Sequence, residues 1–285
     1  MRAMLKMKRS KEKGAGGELR RVLGDVELPT IPALVTAAIE QVSSPDCDLR
    51  QVAETVGRDP GLSARLLTTV NSAAYAPRNP IVGVTQAVTM FGRNHLESML
   101  ISLAASRVVS SSAAPGFDLN RFWTVAAWRA STAALLSKRV DRARSSENFS
   151  AALLEDIAVP LLVANKPGYA KTLNDWQNGA GQLADLEMAA YGWTHTTVAG
   201  WLFDEWGFPE PLREAVTDEG VPEDGTAVYP VVRVVSSLSV PGEMAEVIAT
   251  TAGRIAVVFG LPEDHAVEML QEARSDAATL ANSLS

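Results

Sequence analysis

A chain of 285 residues, 47% hydrophobic and 21% charged, is long and apolar enough to bury a core without disulfides, metals or a partner. Its single cysteine, Cys47, excludes an internal disulfide framework and fits a reducing cytoplasm. Residues 1–21 carry a net charge of +6 and the remainder −13, and so acidic a body argues against a general nucleic-acid surface.

In chain order, Lys6, Lys8, Arg9, Lys11 and Lys13, followed by the glycine-rich stretch 14–17, predict a disordered basic leader over residues 1–21. Weak attraction to anionic lipid or nucleic acid is the alternative reading of that leader. No apolar segment follows the basic residues, so it is not a secretory signal. Ile31, Leu34, Val35, Ala38, Ile39 and Val42 then fall on one face of a helix. Asp48 reads as the N-cap of a short helix with Gln51 placed for a capping box, and Asp59-Pro60 opens the next helix, with Pro at the first helical position. The segment from Ala76 to Gly83 reads as a loop. Thr85 is expected to cap a short helix ending at Gly92, ahead of a longer one through Leu96, Met99, Leu100 and Leu103.

Residues 111–118 read as a seam between an N-terminal lobe, 22–113, and a second lobe, 114–285. Asp118 is placed to cap a helix running to Val140. Further helices are expected at about 147–158, 168–178, 182–191, 195–206, 210–217, 228–239, 242–259 and 263–282. No hairpin signal, sustained period-2 alternation, internal repeat or heptad run occurs, so the expected fold class is all-α. The apolar run from Ile157 to Ala164 is broken by Pro160 and falls far short of the ~20 residues of a membrane span.

Motifs for phosphate-binding loops, dinucleotide folds and serine nucleophile elbows are missing, and one cysteine cannot build a zinc site. Cys47 has no neighbouring histidine in sequence to activate it. Residues 49–74 have helix-turn-helix proportions, but the second helix offers essentially one basic group, Arg65, which leaves DNA binding as a minor alternative.

Several segments together resemble the HDOD family. They are Leu28-Pro29-Thr30-Ile31-Pro32, the run Asp59-Pro60-Gly61-Leu62-Ser63-Ala64-Arg65-Leu66-Leu67, Asn71-Ser72-Ala73-Ala74-Tyr75, and Thr85-Gln86-Ala87-Val88-Thr89-Met90-Phe91-Gly92. HDOD domains are bacterial signalling outputs related to the HD phosphohydrolases. The resemblance spans about Leu28 to Val216 and implies an N-terminal helical lobe packed on an HD-like helical lobe. Ala151-Ala152-Leu153-Leu154-Glu155-Asp156-Ile157 resembles the segment in which HD hydrolases carry adjacent His and Asp ligands, with Glu155 in the His position. Glu187 and Gly192-Trp193-Thr194-His195 resemble the later histidine-bearing segment. Thr217-Asp218-Glu219 stands where many relatives have a His pair, and the early His position, near Val125, is apolar.

HD chemistry needs several His and Asp ligands to hold metal and supply hydroxide. Of the three histidines, His95, His195 and His265, only His195 matches the pattern. The expectation is a pseudoenzyme: a cytoplasmic, regulatory protein–protein interaction module. Glu155, Asp156 and His195 are its remnant-site candidates, and no catalytic residue, cofactor or bound metal is assigned. Its partner would be a protein, with a small molecule or nucleotide as a candidate signal. The alternatives are a divergent metal-dependent phosphohydrolase acting on a cyclic dinucleotide or nucleotide, and a DNA-binding regulator using residues 49–74. Asp156 and His195 each fall on the inward face of their helix, so mutual contact is expected, against separate pairing with backbone or water.

Overall fold

A computed structural model describes residues 14–24 and 30–284. The first helix, α1, covers 14–23 and buries Ala15, Leu19, Val22 and Leu23. This corrects the expectation of disorder for 14–21: the spacing 15, 19, 22, 23 is a helical stripe that the flanking lysines and glycines obscure. Residues 1–13 of the expected leader lie outside the described residues.

Helices α2 (Ala33–Ser43), α3 (Leu49–Gly57) and α4 (Pro60–Val70) follow. Asp48 caps α3 through Arg50 N, and Asp59 caps α4 through Leu62 N at 3.0 Å. The other Asp59 oxygen accepts from Arg107 at 2.9 Å, so one carboxylate both starts α4 and ties it to the next long helix. Asn71 closes the loop after α4: its amide donates to Ile81 O and its carbonyl accepts from Ile81 N, each at 2.8 Å. Tyr75 packs edge-on against Phe91 and Phe149, 4.8 and 5.7 Å between centroids. Three of the segments that carry the family resemblance, at 59–67, 71–75 and 85–92, therefore staple the N-terminal half together.

The two helices predicted around Gly92 form one kinked element, α5 (Val84–Ser110), with Gly92 at φ 65° as the joint. Its cap is Gly83, whose carbonyl accepts from Ala87 N at 3.0 Å, rather than Thr85, which lies inside the first turn. After 111–118 comes α6 (Leu119–Val140), capped by Asp118 as expected. Nearly every side of α6 is covered, because α7 (Ser145–Leu154) packs on one flank and α15 (Glu263–Leu284) on another. Trp128 donates to Leu270 O at 2.9 Å, which fixes α15 on α6. Helix α15 also reaches α4 and α5, and one apolar core runs from Leu19 to Leu284 through both halves of the chain.

The helix expected over 147–158 stops at Leu154, and a second one, α8 (Val159–Asn165), begins five residues later. Pro160 explains the break. In a continuous helix its ring would collide with the carbonyl of residue 156. In the observed turn that carbonyl accepts from Val159 N at 2.9 Å, and Pro160 sits in the first turn of α8, where no N–H is required. Then follow α9 (Tyr169–Gln177), α10 (Leu183–Tyr191), α11 (His195–Trp206), α12 (Glu210–Thr217), α13 (Pro230–Val235) and α14 (Met244–Phe259). The described residues contain no strand, so the fold is all-α, and no described helix is long and apolar enough to cross a membrane.

Candidate functional site

Four elements converge behind the turn at 155–158. Helix α6 contributes Arg129, the turn contributes Glu155 and Asp156, α10 contributes Glu187, and the first residue of α11 is His195. Arg129 is 1% exposed and Glu187 fully buried. Arg129 Nε donates to Ala152 O at 3.1 Å. Its Nη1 donates to Asp156 Oδ2 and to Ser239 Oγ, and lies 3.6 Å from Glu155 Oε2. Arg233, on α13, donates to Glu155 Oε1 at 3.1 Å.

His195 stands between two carboxylates. Its Nε2 is 3.3 Å from Asp156 Oδ1 and its Nδ1 is 2.7 Å from Glu187 Oε2. Thr194 caps α11 by accepting from Thr197 N at 3.1 Å. Glu187 adds a second cap by accepting from His195 N at 2.9 Å, while its other oxygen accepts from Tyr169 OH. A cation at a helix N-terminus opposes the dipole, so the carboxylates on either side are what allow an imidazolium there.

The electrostatics follow from this geometry. Burial disfavours charge on His195, but hydrogen bonds and charges from Asp156 and Glu187 outweigh it and push its pKa up to about 10. Burial would raise Asp156, yet Arg129 and then His195 hold it well below the usual carboxylate range. Glu155 is raised, chiefly by burial, with Arg129 pulling the other way. Tyr169 is held well above its ordinary value by burial and by the Glu187 carboxylate.

The structure brings the three sequence candidates, Glu155, Asp156 and His195, into one cluster, with Asp156 and His195 in direct contact. Sequence reasoning missed Arg129. The signal was present: one arginine inside Val125-Ala126-Ala127-Trp128-Arg129-Ala130-Ser131, one helical turn from the apolar position near Val125. A cation on a buried face needs a carboxylate. Asp218 and Glu219 line the same cavity, but both Asp218 oxygens are held locally, accepting from Gly220 N and from Tyr229 N. His95 is partly buried on α5 and His265 is exposed in the first turn of α15, both away from the cluster.

The metal centre that the resemblance implies does not fit these residues. A guanidinium stands among the carboxylates, and three cationic groups face three carboxyl groups, so local charge is met without an ion. Among the described residues no group of three or more His, Cys, Asp or Glu is disposed to hold a metal. The cluster faces a cavity of about 420 Å³ with Phe122, Leu173, Trp176 and Met188 in its walls. A second cavity of about 440 Å³ meets it at Gln182, Arg233, Ser236 and Val240.

The fold is shared with crystal structures of low sequence identity. A candidate phosphohydrolase of Shewanella amazonensis SB2B aligns with a TM-score of 0.71 at 20% identity, covering 94% of this chain and 98% of that one. An HDOD domain protein of unknown function from Geobacter sulfurreducens gives 0.67 at 19% identity over 97% and 99%. A candidate signal transduction protein of Marinobacter aquaeolei VT8 gives 0.64 at 15% identity, over 96% of this chain and 66% of that one. A protein of Treponema pallidum (strain Nichols) is 24% identical over 194 residues, which is 67% of this chain and 37% of that relative's length. Residues 28–221 match the HDOD domain, from the Leu28 motif to the loop after α12, and the chain belongs to the HDOD domain family.

Proposed function

We propose that this chain is a non-catalytic signal-transduction module that works by binding protein partners, and that Glu155, Asp156 and His195 are the remains of an HD-type metal site. The observation that carries this reading is Arg129. Its guanidinium donates to Asp156 and lies 3.6 Å from Glu155, the positions from which a cation would be held. A metal would have to displace a buried arginine already paired in low dielectric, and breaking such a pair costs about 3–5 kcal/mol. Both ring nitrogens of His195 already face carboxylates, Nδ1 Glu187 and Nε2 Asp156, so an ion would have to compete with the His195–Asp156 contact as well. The signal-transduction neighbour agrees with this role, and the phosphohydrolase neighbour supports the rival one.

The DNA-binding alternative draws no support from α4, because Arg65 is partly buried there. A cyclic-dinucleotide hydrolysis assay with manganese separates the module from the hydrolase. The expected result is no turnover above buffer. Turnover that Asp156→Ala abolishes would establish the hydrolase instead.

A further inference from the structure

Two arginines stand in the wall of the second cavity, of about 440 Å³: Arg233 on α13 and Arg254 on α14. Each is tied to a carboxylate through part of its guanidinium. Arg233 Nη1 donates to Glu155 Oε1 at 3.1 Å, and Arg254 donates to Glu223 through Nε at 2.6 Å and Nη2 at 3.4 Å. The two side chains are 27% and 28% exposed. The remaining terminal nitrogens, Nη2 of Arg233 and Nη1 of Arg254, make no hydrogen bond among the described residues, and neither is sealed from solvent as Arg233 Nε is. A guanidinium has five N–H donors and no acceptor, so what both arginines still offer is donors alone, and what they lack is an anion.

Charge and lining narrow the class. Glu155 and Glu223, which pair the two arginines, are not in this wall, and its one acidic side chain is Glu246, exposed on α14. A single negative charge is therefore favoured here. A second one is not, because the first cavity adds Asp185, Asp218 and Glu219 beside the cluster and the whole chain carries −7. The wall also has an apolar part. Val240 lines both cavities, with Val247 beside it in the second and Leu173 and Met188 in the first. Val240 is 40% and Met188 50% exposed, hydrocarbon that the body of a ligand would take out of water.

We propose that the arginine-walled cavity binds an organic monocarboxylate with an apolar body. The carboxylate would accept from the open nitrogens of Arg233 and Arg254, and the body would lie along Val240 toward Leu173 and Met188. Such a ligand joins α13 to α14. Through the ion pair of Arg233 with Glu155 its arrival reaches the turn at 155–158, which gives the module a means of sensing. The site goes beyond the reading of the His195 cluster and stands whichever way the hydrolysis assay falls, since no bond is made or broken in it.

The test is calorimetric titration of the full chain, in EDTA at about pH 8, with octanoate, 4-phenylbutyrate, the amide of each, and octyl phosphate, which is a dianion there. Saturable binding of at least one carboxylate is expected, with its amide at least about tenfold weaker, because the amide keeps the body and loses the charge-assisted hydrogen bonds. Arg254→Gln removes only a partly exposed ion pair, so the fold should melt nearly as before while carboxylate binding weakens about tenfold. Glu246→Gln, at an exposed position, should tighten binding about twofold by removing the one like charge of the wall. Binding of neither carboxylate, an amide as tight as its acid, or octyl phosphate tighter than octanoate would overturn the proposal. So would a folded Arg254→Gln chain of unchanged affinity, or weaker binding by Glu246→Gln.

Discussion

Arg129 governs the chemistry of this site. It lies on a helix otherwise made of Ala, Trp, Ser and Thr at that level, and its partners come from α7, the turn after α7 and the short turn that follows α13. Arg129→Ala leaves Asp156 and Glu155 buried without their main counter-charge, and it should destabilise the fold by about 3–5 kcal/mol in urea denaturation. His195 has a different signature. Its ordinary value is 6.5 and the folded site holds the proton to about 10. The stabilisation from charged His195 is therefore complete below pH 6.5 and is lost as pH rises through about 10. Denaturation between those limits should show stability falling with pH in the native chain and a flatter profile in His195→Gln. Asp156, held low, acts in the opposite direction: its contribution is present above its ordinary 3.8 and is lost as pH falls. Asp156→Ala should accordingly lower the pKa of His195, readable by NMR titration of its ring protons.

At the scale of elements, Pro160 and Gly92 decide where helices break. Pro160 forces the turn that presents Glu155 and Asp156, so the site exists because α7 and α8 cannot be one helix. Gly92 has φ 65° and nothing within 4 Å of where a Cβ would stand. With ψ at 177° this is backbone that essentially only glycine adopts, so Gly92→Ala should cost the backbone strain alone, about 1–3 kcal/mol by thermal unfolding. Helix α1 makes the clearest test of the corrected leader. Leu19 is 1% exposed, so Leu19→Ala should destabilise by about 2–5 kcal/mol, whereas a disordered leader would register no change.

These same elements show what the sequence made legible. Capped, strongly periodic helices were readable to the residue: α11 and α12 begin and end where His195, Trp206, Glu210 and Thr217 placed them. Asp59 and Asp118 announced their caps because an Asp ahead of a helical stripe has a single local role. The turn at 155–158 was hidden because Asp156 keeps an inward direction whether the helix continues or breaks. The pairing of Asp156 with His195 followed from two inward polar groups needing partners, but Arg129 and Glu187 reach them from α6 and α10. No local spacing encodes which distant helix supplies the counter-ion.

For the whole molecule, a single core joining α1, α5, α6, α7 and α15 leaves the charged cluster enclosed on one side and facing a cavity on the other. That arrangement suits a receiver of signals whose internal charges are settled by its own side chains. A metal that bound only the folded state would raise its stability by mass action. The direct test is the melting temperature of the full chain after EDTA treatment, titrated with manganese at micromolar levels. With Arg129 in the cation's place the melting temperature should stay where it was. A saturable rise of several degrees in the native chain, lost in Asp156→Ala, would contradict the account.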